Sequence, residues 1–348
     1  MPFDTVVAKT VEYLKIPSVV GFEKVFLDHL SKDFENLGLQ VRKKPGLIEV
    51  RGRDPKSHII SAHADRHGLV SMGDGRFSYA AQYVRLKKYL EENRQSRMVL
   101  KAINERFIGE EVYAYDKTFG DVIGQGVIDR SELNERSGHA MFYINGYETE
   151  DSNIPVAYAR NTEVNGNLVR GQIDNVVSLG IIYVLYQNGF QGTALLTTEE
   201  EIGKSWIHMK KWLKENKVHT KNLFILDTSP YREKDPIQNN MVVLRNRDKN
   251  GIFNPELTQK LIERCDYLFL PYQVKDDYFL KLGLTVENLG STELGQLVKG
   301  TEGRWNGATI QIPTTEYHTS YETTSRGCIE SYYRLLSDIL IENPITEE

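Results

Sequence analysis

The sequence predicts an α/β protein whose main domain is interrupted by a mostly β insert. Short apolar runs bounded by turn residues predict buried strands, and segments with apolar residues at helical spacing alternate with them. Several of these strands run directly into acidic residues or histidines. From about residue 73 to residue 161 the pattern changes to short β-like pieces separated by glycines and charged turns. The main domain resumes after that segment.

The amino-terminal region predicts two helices followed by two strands. Pro17 ends the first helix, and the second begins after Gly21 and stops at Gly38, a residue suited to a left-handed helix end. Strands are predicted at residues 47–50 and 58–62, separated by a turn-like segment.

The insert begins with helical patterns and continues with strands. Apolar residues recur at helical spacing over residues 79–88 and 98–107, and strands are predicted at 111–115, 122–128 and 139–144. In the main domain that follows, strands are predicted at 195–198, 222–226 and 308–312, and an apolar helix at 176–186.

Three consecutive carboxylates, Glu199, Glu200 and Glu201, follow the strand at 195–198. Adjacent like charges repel, so a fold that buries them requires a compensating cation. The carboxyl ends of strands are also where sites lie in open α/β sheets. The alternative is a solvated helix N-terminus, where glutamate is favourable.

His63 and Asp65 leave the strand at 58–62. This spacing places an imidazole at the carboxyl edge of the sheet, with a carboxylate able to orient it. A single histidine is more often a structural residue, but a position at a strand end favours a functional one.

Three further residues lie at comparable positions. Asp227 ends another apolar strand, His318 follows the last one, and Asp174 stands at the start of the helix at 176–186. Asp174 is either a helix cap or a ligand, and the two roles are compatible. The coincidence of all these groups at one edge predicts a metal site.

The predicted site contains two imidazoles and three carboxylates, one of them bridging, which fits a pair of divalent ions with room for water. Nitrogen and oxygen ligands favour Zn, Co or Mn over Ca or Mg. The positive charge of the ions lowers the pKa of bound water and polarises a carbonyl. One residue of the pair Glu200 and Glu201 coordinates, and the other accepts the proton of the water. The predicted reaction is metal-assisted hydrolysis of an amide.

Composition excludes several other classes of protein. A net charge of −5 and a pI near 6.0 argue against a nucleic-acid or membrane-surface role. We expect no signal peptide and no membrane span. The two cysteines do not form a disulfide framework, so we expect a reducing, cytoplasmic setting.

With these motifs in place, the sequence resembles the TET-type aminopeptidases, the glutamyl and deblocking aminopeptidases among the dinuclear clan MH metallopeptidases. The resemblance extends over nearly the whole chain. It rests on motifs in the family's order and approximate spacing: His63-Ala64-Asp65, Asp174, Glu200-Glu201-Ile202-Gly203, Asp227, and His318 with Glu322. It implies a three-layer αβα dinuclear metallopeptidase domain formed by residues 1–69 and 162–348. It also implies an inserted small β-barrel-like domain at 70–161, used for dimerisation or as a lid.

The resemblance further implies the metal ligands. Two divalent ions per subunit, Zn or Co, are expected, with Asp174 as the bridging ligand. His63 and Asp227 complete one site, and Glu201 and His318 complete the other.

By the same resemblance, Glu200 is the general base and Asp65 orients His63. The expected substrates are short peptides, which lose their N-terminal residues. The expected partners are further copies of the chain, from a dimer up to a dodecamer, with no nucleic acid and no membrane.

Four features depart from the family's pattern. Asn175 stands where a second Asp is frequent, Arg66 and His67 replace a more usual Glu-Ile, and residues 291–295 replace a Gly-Thr-Asp-Ala-Gly loop. The helical segment at 79–107 is also longer than usual. The change at Arg66 and His67 alters the charge near the site.

The sequence leaves two alternatives to an aminopeptidase. A carboxypeptidase or N-acyl-amino-acid deacylase of the same clan has its extra domain between the third carboxylate ligand and the final histidine. Here the insert falls between His63 and Asp174. An inactive metal-binding scaffold is disfavoured because every ligand and Glu200 are retained.

Overall fold

The computed structural model describes residues 2–89, 97–134, 138–159 and 162–345. The strands of the main sheet stand in the order β1 (Gln40–Lys44), β2 (Leu47–Arg51), β12 (Thr193–Thr197), β3 (Ile59–His63), β13 (Leu223–Pro230), β16 (Gly307–Thr314), β14 (Val242–Arg245) and β15 (Tyr272–Val274). A closed barrel consists of β4 (Leu69–Gly73), β5 (Arg76–Tyr79), β8 (His139–Asn145), β7 (Val122–Asn134), β6 (Glu111–Tyr115) and β9 (Ser152–Tyr158). A small third sheet consists of β10 (Glu163–Asn165), β11 (Leu168–Gly171) and β17 (Glu322–Ser325).

The α-helices of the described residues are α1 (Pro2–Leu14), α2 (Lys24–Asn36), α3 (Ala80–Tyr89), α4 (Arg97–Phe107), α5 (Val176–Gln187), α6 (Ser205–Glu215), α7 (Asp235–Gln238), α8 (Pro255–Tyr267), α9 (Lys275–Lys281), α10 (Glu293–Gly300) and α11 (Arg326–Ser337). Short 3-10 turns occur at Glu200–Ile202 and Val286–Leu289, and a π-helical segment at Asp338–Glu342.

The main sheet is buried on both faces, because the side chains that alternate along its central strands pack into a separate core on each side. In β13, Phe224 and Leu226 join the core that contains α1, α5 and α11, whereas Leu223 and Ile225 join the core that contains α6 and α10. Strands buried on both faces have nearly continuous apolar sequences, as observed here. Helix, sheet and helix therefore form three layers, and the predicted α/β fold class is confirmed.

The barrel has its own core, which also includes a few residues of the main domain. Phe77, Phe107 and Phe142 fill it, and Val19 and Ile202 of the main domain pack against them. The predicted inserted β-barrel-like unit is thus confirmed as part of the fold, while its limits at 70 and 161 stay a prediction.

The predicted helices at 79–88 and 98–107 correspond to α3 and α4, and the link between them, like the boundary at 161, lies outside the described residues. Strand β7 extends to Asn134, beyond the predicted end at 128. Both cysteines, Cys265 and Cys328, are buried and free. Among the described residues, no helix has the length and apolar character that crossing a bilayer requires.

Candidate metal centre

The strands β12, β3, β13 and β16 are parallel neighbours, so their carboxyl ends meet at one edge of the main sheet. His63 is the last residue of β3, and Asp227 lies within β13. Glu200 and Glu201 lie in the 3-10 turn that follows β12, and His318 follows β16. The structure therefore brings these predicted site residues to the same edge.

Asp174 lies between the two histidines. His63 Nε2 is 3.2 Å from Asp174 Oδ1, and His318 Nε2 is 3.6 Å from Asp174 Oδ2. Neither oxygen of this carboxylate has a hydrogen-bond partner among the described residues. The N-cap of α5 is Asn175, so the interpretation of Asp174 as a helix cap is wrong.

Within the described residues, two groups of candidate ligands adjoin at this edge. The first consists of His63, Asp174 and Asp227, all buried, with His63 Nε2 3.5 Å from Asp227 Oδ1. His63 Nδ1 donates to the backbone carbonyl of Asp65 at 3.1 Å, which leaves Nε2 directed at the two carboxylates.

Asp65 contacts His63 differently from the sequence-based expectation. Its carboxylate oxygen Oδ1 is 3.8 Å from His63 Nδ1, and the backbone carbonyl makes the orienting hydrogen bond instead. The Asp65 carboxylate accepts the backbone N–H groups of Glu200 at 3.2 Å and Glu201 at 3.1 Å. Asp65 therefore fixes both strand ends, through its carbonyl at β3 and its carboxylate at the turn after β12.

The second group consists of His67, Glu201 and His318. Glu201 Oε2 is 2.7 Å from His67 Nε2 and 3.7 Å from His318 Nε2. Sequence reasoning noted His67 as a departure from the family and assigned it no role at the centre. The available signal was its position, two residues after Asp65 in the segment that leaves β3.

Glu322 joins the two parts of the centre through the backbone. It is buried and accepts the N–H groups of Asp174 at 2.8 Å and His318 at 2.7 Å. Burial, with the charge of Asp174 adding to it, raises the pKa of Glu322 well above the ordinary value. The sequence placed Glu322 in the motif and gave it no function.

Three other charged residues near the centre, Arg66, Glu199 and Glu293, make their polar contacts with residues outside the ligand groups. Arg66 is buried and donates to Ser18 Oγ at 2.7 Å and to the backbone carbonyls of Leu14 and Ile16. Its guanidinium therefore hydrogen-bonds to the end of α1 and the segment after it, while its charge still acts on Glu322. Glu199 turns towards His208, whose Nε2 is 3.3 Å from its carboxylate. Glu293 is buried and accepts the hydroxyls of Ser61 and Thr197 at 2.8 Å each, on the strands that end at the centre.

The titration behaviour of the centre reflects an excess of buried carboxylates. Burial and the charge of Asp174 raise the pKa of Glu201 well above the ordinary value. Burial disfavours a charge on His63, but Asp174 and Asp227 outweigh it and raise its pKa. For His318 burial prevails and lowers the pKa to about 4, although Asp174 opposes it. A cation would stabilise the charged carboxylates and the neutral imidazoles together.

The donor set fits divalent metal ions. Several buried atoms of the centre lack a hydrogen-bond partner in the described part of the chain: both carboxylate oxygens of Asp174, Glu201 Oε1, His67 Nε2 and His318 Nε2. Buried polar atoms are normally paired, so such a cluster indicates a missing ligand. Imidazole nitrogens and carboxylate oxygens are the ligands that Zn prefers.

A cavity of about 800 Å³ adjoins the centre. Tyr317, next to the ligand candidate His318, lines it together with Tyr231, Lys275 and Leu284. A second cavity of about 750 Å³ contains His58 and Trp212, and the candidate ligands of the centre line neither cavity.

The fold matches those of solved aminopeptidases at low sequence identity. An aminopeptidase from Desulfurococcus kamchatkensis is 14% identical with a TM-score of 0.73, covering 98% of this chain and 96% of its own. The TET aminopeptidase of a Thaumarchaeota archaeon is 14% identical with a TM-score of 0.73, covering 98% and 97%. The TET1 peptidase of Pyrococcus horikoshii, described as assembling into a tetrahedron or a large octahedral shell, is 16% identical with a TM-score of 0.68, covering 97% and 99%.

Comparison with protein-family models and with curated proteins finds no match. The structural likeness thus confirms, at the level of the fold, the family resemblance seen in the sequence.

Proposed function

We propose that this protein is a dinuclear metal-dependent aminopeptidase that removes N-terminal residues from short peptides. The observation that carries the proposal is the adjacency of two ligand groups through one carboxylate, Asp174, which contacts His63 with one oxygen and His318 with the other. In this assignment His63, Asp174 and Asp227 hold one ion, and Asp174, Glu201 and His318 hold the second. Zn or Co suits these ligands.

The bound ions would polarise the scissile carbonyl and lower the pKa of water at the site. Glu200 is the group proposed to accept the proton. Burial, with Asp227 and Asp65 adding to it and His63 opposing, raises the pKa of Glu200 well above that of an ordinary glutamate. The hydrogen bond from Glu200 N–H to Asp65 holds its backbone in place.

The order of elements along the chain favours an aminopeptidase over the related deacylases and carboxypeptidases. The barrel strands β4 to β9 all lie between His63 and Asp174.

We further propose that the chain forms a homo-oligomer, as the assembly described for the Pyrococcus peptidase suggests. The barrel is the part proposed to mediate this assembly.

The test compares short peptides that have a free N-terminus with the same peptides after N-acetylation. Each is incubated with metal-loaded protein, and the products are identified by mass spectrometry. We expect stepwise loss of N-terminal residues from the free peptides only. Glu200→Gln protein purified in parallel is the control for contaminating peptidases. Internal cuts, release of C-terminal residues, or equal cleavage of both peptides would contradict the proposal.

A further inference from the structure

We propose that His67 is a sixth protein ligand of the dinuclear centre, in the site of Glu201 and His318. This inference rests on the proposed function, because it concerns one of the two metal ions. It goes beyond the family resemblance, in which a residue of another type usually occupies this position.

The first support is the environment of the His67 imidazole. His67 is 3% exposed, and its Nε2 lies 2.7 Å from Glu201 Oε2. The two atoms are close, yet Nε2 makes no aligned hydrogen bond to any described residue. His318 Nε2 is likewise unpaired, and the two imidazole rings meet edge-on with centroids 3.9 Å apart. An ion bound by the Glu201 carboxylate and both nitrogens accounts for the two unpaired imidazole nitrogens.

The second support is the hydrogen bonding of the other ring nitrogen. His67 Nδ1 is 2.5 Å from the hydroxyl oxygen of Tyr79, and Arg106 donates to that oxygen at 3.3 Å. In the tautomer whose Nδ1–H donates to Tyr79, the lone pair of Nε2 faces Glu201, as a metal ligand requires. Ligating histidines almost always have such an outer partner, which fixes the tautomer and the ring orientation.

A sixth ligand makes the two metal sites unequal. His67, His318, Glu201 and Asp174 provide two nitrogens and two carboxylates, the full set of a closed tetrahedral site. His63, Asp227 and Asp174 provide three ligands, the number typical of a site that keeps one position open. The closed site should therefore hold its ion more tightly. Because Tyr79 lies in β5 and Arg106 in α4, the barrel would support this site directly.

The experiment measures Co²⁺ binding to metal-stripped protein by equilibrium dialysis, with the visible spectrum of bound Co²⁺ as a second readout. In wild type we expect two ions bound with unequal affinity. In His67→Ala the tighter site should weaken by about tenfold or more, with a changed spectrum, and added imidazole should restore both. Tyr79→Phe keeps the aromatic ring of residue 79 but removes the hydroxyl that contacts His67 Nδ1. It should therefore weaken the same metal site to a smaller extent.

His208→Ala is the matched control, because His208 also faces a buried glutamate, Glu199, but lies outside the centre. It should leave both binding constants unchanged. If His67→Ala has the constants and the spectrum of wild type, His67 is not a ligand, while two-ion binding by wild type leaves the proposed function intact. A wild type that binds no Co²⁺ overturns both proposals.

Discussion

At the scale of single residues, Glu200 and Glu201 are neighbours with different surroundings. Glu201 Oε2 contacts His67 and His318, whereas Glu200 belongs to neither candidate ligand group. Glu200→Gln keeps shape but cannot accept a proton, so kcat should fall about a hundredfold or more, with metal content unchanged. Glu201→Gln should lose metal and regain activity in excess metal. Loss of metal from Glu200→Gln together with its retention in Glu201→Gln would reverse the assignment.

Lys275, in the wall of the cavity beside Tyr317, predicts a pH dependence of stability. It is buried and donates to Ser229 Oγ and to the Pro230 carbonyl at 2.8 Å each. Burial, with the charge of Arg245 adding to it, lowers the pKa of Lys275 well below 10.5. Between that lowered pKa and its ordinary value the unfolded state binds more protons, so this residue's contribution to stability rises with pH.

Removal of Lys275 should abolish that contribution. The difference in unfolding free energy between wild type and Lys275→Met should shift in favour of wild type as the pH rises from about 7 to about 10, as urea titrations of metal-loaded protein can measure. Lys281→Met, at an exposed position in the same helix, is the control. A difference that does not change with pH would contradict the argument.

At the scale of elements, the barrel exposes several large apolar side chains close together, which is uncommon on a protein surface that faces only water. Phe119, Val122 and Ile123 are 76%, 52% and 49% exposed, at the hairpin between β6 and β7. Clustered exposed apolar residues mark interaction surfaces. Replacing Phe119 and Ile123 with Ser should therefore lower the oligomeric mass measured by light scattering.

The control for this prediction is Phe269→Ser, since Phe269 is 92% exposed and lies outside the barrel. It should leave the mass unchanged. A normal mass for the barrel variant would show that this hairpin is not an assembly surface.

The sequence predicts several of the buried strands, but not β14, whose residues are all buried. The central strands β3, β12, β13 and β16 have apolar runs that stand out, and each leads to a polar residue of the centre. Strand β1 (Gln-Val-Arg-Lys-Lys) was not predicted, because it is an edge strand with largely exposed side chains. Its conformation depends on pairing with β2, which no local pattern reveals.

At the scale of the whole molecule, local sequence patterns mark the candidate ligands, whereas the contacts that surround them depend on tertiary packing. Most ligand candidates stand at or just beyond the ends of strands, which the sequence marks, although β13 continues to Pro230 beyond Asp227. The contact of Asp65 with the turn after β12 joins residues more than a hundred positions apart, and Tyr79 reaches His67 from the barrel. Those contacts follow from tertiary packing, so the sequence alone did not predict them.

The most direct test of the account is the metal content of the chain measured together with its activity. Elemental analysis of unstripped wild type should find two divalent ions per chain, and His318→Ala should contain less metal because the site of Glu201 and Asp174 then loses an imidazole ligand. Chelation should abolish peptide hydrolysis, and Zn or Co should restore it. A wild-type protein that is free of metal and still hydrolyses peptides would contradict the account.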